Sequence, residues 1–266
     1  MDSLLRMSAR TLGRTCTRLS ARTLLLLLLP ALGSAGELNL RWNACWGDGG
    51  IMNRTFACTS NSGASVLVGS FVPPLDILQV SGLQCVVDLA VAGGSLPAWW
   101  QFKNTGTCRQ SSLVYSTTPP LTAVNCVEWD SAVGTLVSYT TDLFGPGSAR
   151  VIGASAALPA PADLTAGQEY FAFSLIVSNQ NTVGSGACAG CSLGACIGLK
   201  QITLTVPPPA GTVDLFVSNN ATSDDRLATW QGGAGVLVRK SELYLNCPQA
   251  TPARGRAWGE VKALYR

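Results

Sequence analysis

The amino-acid sequence predicts an all-β protein, built as an antiparallel two-sheet β-sandwich that is stapled by disulfides. Only 12% of the 266 residues are charged, and stretches with helical periodicity are scarce. Short runs rich in Val, Ile, Thr and aromatic residues recur between Gly, Pro and Asn, as the strands of an all-β domain do. Nine of the ten cysteines follow an apolar leader, which suits disulfide formation in an exported chain.

Four runs show the strand pattern most clearly. They are SVLVGSFV (65–72), LQCVVDLAV (83–91), EYFAFSLIVS (169–178) and KQITLTV (200–206). In the third run, a period of two places one set of apolar residues on a single face: Phe171, Phe173, Leu175 and Val177. The fourth run alternates in the same way and ends at three prolines. This pattern is typical of half-buried antiparallel strands.

The chain contains a weak internal sequence repeat, which we call the internal echo. VLVGSFVPP followed by SGLQCVVDLAV is similar to RVIGASAALPAP followed by AGQEYFAFSLIV. The echo indicates either two equivalent strand pairs, one in each half of a sandwich, or the strand–turn–strand repetition common to sandwiches. Strand signals continue on both sides of every proline cluster, so residues 36–246 are predicted to form a single β-sandwich domain.

Residues 1–35 have the layout of a secretory signal peptide. Five arginines precede an apolar core, Leu24–Leu32, and Gly33-Ser34-Ala35 offers a small-residue cleavage site. Nine residues are too few to span a bilayer, which takes roughly 20. The alternative is an N-terminal anchor helix, and the start codon is either Met1 or Met7. We expect a secreted, extracellular or cell-surface protein with no transmembrane span after cleavage.

The charge of the mature chain excludes nucleic acid as a partner. The leader carries five arginines and Asp2, which leaves 13 basic and 14 acidic residues from residue 36 onward, a net charge of −1. A nearly neutral chain without a long basic run lacks the positively charged surface that binds the phosphates of nucleic acids.

The cysteine pattern predicts disulfides and one free thiol. Because nine is odd, one cysteine stays unpaired, and Cys85 is the candidate since it lies in an apolar run. The eight disulfide candidates are Cys45, Cys58, Cys108, Cys126, Cys188, Cys191, Cys196 and Cys247. Local pairing predicts Cys45–Cys58 and Cys108–Cys126 as hairpin staples. The run GACAGCSLGACIGL (186–199) is predicted to be a loop closed within itself and linked to Cys247.

Two other interpretations of the late cysteines are open. The Cys-x-x-Cys at 188–191 also fits a redox motif, although that motif needs a following helix and a strand-like run follows here. A zinc site of all four late cysteines is the second alternative. Neither is favoured, so the sequence predicts no metal and no cofactor.

The composition disfavours catalysis. The chain has no histidine, which excludes the Ser-His-Asp triad, the Cys-His pair and histidine-ligated zinc. Glu128 and Asp130 flank Trp129, a weak likeness to the paired carboxylates of glycosidases. Asp214, Asp224 and Asp225 lack the spacing of a calcium loop. We therefore expect a protein that is not an enzyme.

Tryptophan supplies the candidate ligand contacts. Trp99 and Trp100 are adjacent, so on a strand one would face the core and the other would face outward. An outward ring can stack on a sugar, which makes Trp99, Trp100 and Trp129 the candidate sugar-stacking residues. The alternative is that these rings fill the core. Residues 247–266 are predicted to form a C-terminal tail, either a docking turn or a sorting segment.

Several segments carry a resemblance to known sequences. CAGC, CIGLKQITLTVP, TWQGGAG, CPQATP and the terminal WGEVKALYR resemble uncharacterised secreted β-rich bacterial proteins from environmental genomes. That resemblance implies no activity. The pattern VGSFVPP…VSGLQCVVDLAV resembles cohesin-like domains of bacterial surface proteins, which implies a jelly-roll or cohesin/Ig-like sandwich.

Two functional hypotheses follow. The first is a secreted or cell-surface, non-enzymatic structural or adhesion-type β protein. The alternative is a carbohydrate-binding module, or as a weaker variant a glycosidase, that uses surface tryptophans and carboxylates. The expected partners are glycans or other surface proteins.

Overall fold

The structure, a computed structural model, describes residues 36–91, 94–129, 134–157, 161–216, 224–233 and 247. The signal peptide predicted at 1–35 and the tail beyond Cys247 lie outside these residues. Fourteen strands are described: β1 (Glu37–Trp42), β2 (Asn53–Arg54), β3 (Ala64–Val72), β4 (Ile77–Val80), β5 (Gly82–Val91), β6 (Leu113–Ser116), β7 (Val127–Glu128), β8 (Gly134–Thr141), β9 (Ser148–Ala156), β10 (Ala162–Leu164), β11 (Tyr170–Ser178), β12 (Ala195–Thr205), β13 (Thr212–Phe216) and β14 (Leu227–Trp230). Three 3₁₀ turns complete the elements: Trp46–Asp48, Ala98–Trp100 and Asp224–Arg226.

The strands form two main sheets, and the predicted all-β fold class is confirmed. Sheet A has five strands in the order β1-β3-β11-β6, with β7 beside β11. Sheet B has seven strands in the order β2-β14-β12-β5-β9-β8, with β13 beside β12. A ribbon of β4 and β10 completes the set. Two short pairings, β7 with β11 and β2 with β14, are parallel and all others are antiparallel.

The core lies between the two sheets because each long strand alternates its side chains. In β5 the odd-numbered residues, such as Leu83 and Leu89, are buried in the main apolar cluster. In β1 the residues Leu38, Leu40 and Trp42 do the same from sheet A. Removing such side chains from water contributes about 25 cal/mol per Å² of apolar area, which is the main force holding the sheets together.

The two halves of the internal echo lie on two strand units that pair with each other. The first unit is β3–β4–β5 and the second is β9–β10–β11. They pair with each other throughout, since β3 pairs with β11, β4 with β10 and β5 with β9. Each unit crosses from one sheet to the other, the first from sheet A to sheet B and the second from sheet B to sheet A.

The glycines that mark the echo have matching roles. A Cβ on Gly69 would overlap the Phe173 ring, and one on Gly153 would overlap the Tyr115 ring. Tyr115 and Phe173 stack on each other with ring centroids 5.7 Å apart and planes 16° apart. The two glycines therefore make room for one stacked aromatic pair.

One detail of the strand prediction is wrong. The register of β11 shifts between Phe171 and Phe173, where the ladder with β3 is interrupted. Such an irregularity changes which face the following residues occupy. Phe171 consequently packs with Val68 on the outer side of sheet A, whereas Phe173 lies in the core.

A small apolar cavity of about 20 Å³ lies between the sheets, lined by residues such as Trp100, Leu113 and Val151. A space of this size is suited to one water molecule at most, and its apolar lining offers no hydrogen bonds. In the described part of the chain, no helix has the length and apolar character needed to cross a bilayer.

Candidate binding site

The structure places all eight candidate cysteines in disulfides. The four pairs are Cys45–Cys126, Cys58–Cys191, Cys108–Cys188 and Cys196–Cys247. The local pairing predicted for the first four cysteines is therefore wrong. Each disulfide joins segments between 51 and 133 residues apart in sequence, because neighbouring loops in this fold come from distant strands and not from one hairpin.

The three cysteines of GACAGCSLGACIGL reach three different segments, so the loop is not closed within itself. Of the three, Cys196 is the one that binds Cys247. Because Cys188 and Cys191 do not pair with each other, the redox alternative does not hold. The zinc alternative fails for the same reason, since each sulfur is already used in a separate disulfide.

Cys85 is the free cysteine among the described residues, and it is buried. Burial raises the pKa of its thiol to about 12. Its sulfur lies 3.9 Å from the Tyr115 hydroxyl inside the core. A thiol that stays protonated and out of reach of solvent is a packing group and not a nucleophile.

The candidate sugar-stacking residues are all buried. Trp99, Trp100 and Trp129 are 0%, 1% and 5% exposed. The expectation of one outward ring is wrong because Ala98–Trp100 is a 3₁₀ turn and not a strand, so adjacent side chains do not face opposite ways. These rings belong to the core, which was the alternative interpretation.

Trp99 and Trp100 join Trp230 in an aromatic cluster at one end of the core, with ring centroids 4.9 to 5.7 Å apart. The late cysteine loop caps this cluster: the Trp230 indole N–H donates to the Cys191 carbonyl at 2.7 Å. The Trp99 amide donates to the Ala189 carbonyl at 2.9 Å. The segment 186–191 (GACAGC) therefore covers the aromatic cluster, and we call this segment the lid. The disulfides of Cys188 and Cys191 hold it in place.

The positively charged side chain of Arg109 packs against this aromatic cluster and is fully buried. Its guanidinium lies 4.1 Å from the centre of the Trp99 ring, a cation–π geometry. It donates to the carbonyls of Trp99, Ser178 and Gln180. Burial lowers its pKa to about 10, so the side chain remains charged at neutral pH.

Of the candidate carboxylate pair, the structure describes Glu128 alone. Glu128 is exposed on β7, while Asp130 lies outside the described residues. An oxygen of Asp225 already binds Arg41 and accepts the indole N–H of Trp46 at 3.1 Å.

A surface that the sequence does not single out lies on two loops joined by Cys45–Cys126. The segments 46–51 and 121–127 carry five of the twelve large hydrophobic side chains that are exposed in the described residues: Trp46, Ile51, Leu121, Val124 and Val127. We call the exposed side chains of these two segments the Trp46 face. Neither segment contains Lys or Arg. Where exposed apolar groups form a contiguous patch, the patch is a candidate interaction surface.

Trp46 is held in place although its side chain is half exposed. Its backbone N–H and that of Gly47 donate to the two carboxylate oxygens of Glu169, at 3.2 and 2.8 Å. The Ser70 hydroxyl donates to the same carboxylate. The indole N–H is fixed by Asp225. These hydrogen bonds fix the orientation of the half-exposed ring.

Asp48 clamps the second loop to the first. Its carboxylate accepts backbone N–H groups of Val124 and Asn125 at 3.0 and 2.8 Å, and that of Cys126 at 3.4 Å. Desolvation acts to raise the pKa of Asp48, but these backbone hydrogen bonds outweigh it and hold the pKa below its usual value. The ionised carboxylate is therefore the form that ties the loops together.

The fold and this surface define the chain as a disulfide-stapled, all-β sandwich protein with apolar side chains exposed on two disulfide-linked loops. No protein-family model matches the chain, and no curated protein matches it. One sequence signal points toward the site: CWGDGG places a tryptophan in a glycine-rich turn between a cysteine and an aspartate, where no strand pattern explains an apolar ring.

Proposed function

We propose that this chain is an extracellular, non-enzymatic, adhesion-type β module, and that the Trp46 face is the surface by which it adheres. The observation that carries the proposal is the half-exposed Trp46, fixed by hydrogen bonds and flanked by exposed apolar side chains on a stapled loop pair. The signal-peptide layout and four disulfides support an oxidising compartment outside the cytoplasm.

An exposed apolar surface of this kind is costly in water unless a partner covers it. Leu121 is fully exposed and Val124 nearly so, and burying one such side chain contributes about 1.5 to 3 kcal/mol. Tryptophan is also enriched among the residues that dominate binding energies. The polar groups around the ring, such as Asp48 and Glu169, are already hydrogen-bonded, so they form a rim that needs no rearrangement.

Carbohydrate is the second candidate ligand, now placed at Trp46 instead of at the buried tryptophans. A half-exposed indole offers an apolar face to the C–H side of a sugar ring. The amide nitrogens of Asn125, on the second loop of the face, and of Gln168 already donate within the protein, which leaves their side-chain oxygens to accept from sugar hydroxyls. Such a ligand would depend on Trp46 and little on Leu121 or Val124.

The test is retention of the chain on a panel of immobilised polysaccharides and extracellular proteins. We expect retention on at least one surface, and we expect Trp46→Ala to abolish it. Leu78→Ala, which removes an exposed apolar side chain of the β4–β10 ribbon outside this face, should have no effect. Equal retention of wild type and Trp46→Ala on every surface would contradict the proposal, as would retention on none.

A double variant separates the two ligand classes. Leu121→Ser/Val124→Ser should abolish adhesion to a protein surface, which needs the whole apolar patch, but should leave sugar binding through Trp46 nearly unchanged. The non-enzymatic part is tested by assaying hydrolysis of any polysaccharide that is bound. Hydrolysis that disappears in Glu128→Gln and Asp130→Asn would show that the protein is a glycosidase.

A further inference from the structure

The free edge of β8 is the longest open strand edge in the part of the chain that the structure describes. β8 pairs with β9 over all eight of its residues without a register shift, and no described strand pairs with its other side. Other outer strands are shorter: β2 and β7 have two residues, β6 four and β13 five. The outer side of β1 is covered at Arg41, which donates to carbonyls of Asp225 and Leu227.

The sequence of β8 lacks the features that usually protect such an edge. In natural proteins, edge strands are kept from pairing with another chain by Lys, Pro, bulges or short length. GTLVSYTT has no charged residue and no proline, and its ladder with β9 is regular. A neutral edge of eight residues, about 27 Å long, meets no charge repulsion from an identical edge.

Backbone hydrogen bonds determine which groups face outward. The Asp142 amide donates to the Ser148 carbonyl at 2.8 Å, and hydrogen-bonded and non-hydrogen-bonded pairs alternate along an antiparallel ladder. The even-numbered residues of β8 therefore bond to β9. The amides and carbonyls that point to the open edge belong to Thr135, Val137, Tyr139 and Thr141.

We infer that β8 pairs antiparallel with β8 of a second copy of this chain, forming a two-fold symmetric dimer in which the two copies of sheet B become one continuous sheet. All four open-edge residues find partners only when the axis passes through Ser138. This register sets Val137 opposite Tyr139 and Thr135 opposite Thr141.

The side chains fit this register. A β-branched residue opposite an aromatic one, and Thr opposite Thr, are stabilising cross-strand pairs. The exposed Leu136 lies beside the second copy's Thr140 and loses exposure there. The pairing uses the open edge of both copies completely, so assembly stops at two.

The geometry at the axis supplies a specific test. In this register each Ser138 lies directly opposite its own symmetry mate, with Cβ atoms about 4.5 to 5.5 Å apart. Ser138→Lys and Ser138→Glu should each place like charges together. Leu78→Lys adds a charge at an exposed strand position in the β4–β10 ribbon and is the matched control.

Sedimentation of the disulfide-bonded chain, recovered from a secreting host, gives the readout. We expect wild type and Leu78→Lys to be dimers and the dissociation constant of each Ser138 variant to rise at least tenfold, with circular dichroism unchanged. An equimolar mixture of the Lys and Glu variants should recover a heterodimer. A monomeric wild type, open-ended polymers, unaffected Ser138 variants, or a mixture without heterodimer would each overturn the inference.

Discussion

The disulfide Cys58–Cys191 provides the sharpest test of the stapled architecture. It links the loop after β2 to the lid over the aromatic cluster, and Cys191 is buried there. We expect Cys58→Ala/Cys191→Ala to keep the fold but to lower the free energy of unfolding, because removing the cross-link releases entropy in the unfolded chain.

Two of the remaining disulfides, Cys45–Cys126 and Cys108–Cys188, determine how much stability is lost. Cys58 and Cys191 are 133 residues apart in sequence, but a shorter covalent route remains in the variant. It runs from Cys58 back to Cys45, across to Cys126, back to Cys108, and across to Cys188. The chain segments on this route sum to about 34 residues, for which the loop-entropy relation gives about 4 kcal/mol, against about 5 kcal/mol for an isolated 133-residue loop.

The assay is equilibrium unfolding in guanidinium chloride, followed by the fluorescence of the buried tryptophans, with the other disulfides verified by mass. Cys85→Ala, which removes a buried thiol but no cross-link, is the control and should cost about 1 kcal/mol. A loss below 1 kcal/mol in the double variant, or no greater than in the control, would refute the reasoning.

Three further changes test individual contacts. Gly153→Ala should destabilise the fold by about 1 to 3 kcal/mol, measured by thermal unfolding, since its Cβ would overlap the Tyr115 ring; an unchanged melting temperature would contradict this. Arg109→Met should cost about 3 kcal/mol in denaturant unfolding, because three carbonyls lose their charged donor, and a neutral result would show that the charge is dispensable. Because the folded-state pKa of Asp48 is lowered, its stabilisation is present above about pH 4 and is lost as pH falls through the folded pKa. Asp48→Asn should therefore lack that acid-side loss in a pH series of unfolding curves, and identical pH profiles would argue against the clamp.

The periodic strands could be predicted from sequence because alternation and burial express the same physical constraint. The run LQCVVDLAV became β5 almost residue for residue. The start of β12 was missed, because ACIGL reads as part of a glycine-rich loop. The face of Phe171 was also wrong, since a ladder irregularity depends on the neighbouring strand and leaves no mark in the periodicity.

The Trp46 face and the disulfide connectivity depend on contacts between distant segments. Local sequence offers the CWGDGG signal for the first and no signal for the second. Cys45 reaches Cys126 over the outer face of sheet A, where both pack with Val68 and Phe171. Nothing near Cys45 in sequence indicates that partner. Likewise, Trp99 and Trp46 are both tryptophans in loops, and only the packing of other segments buries one and exposes the other.

The measurement that most directly tests the account is the affinity of Cys45→Ala/Cys126→Ala for the surface that retains the wild type. The central claim is that this staple presents the Trp46 face in a fixed arrangement. We predict that the variant keeps the sandwich, as shown by circular dichroism and cooperative unfolding, but binds at least tenfold more weakly than wild type. A folded variant with unchanged affinity would contradict the claim.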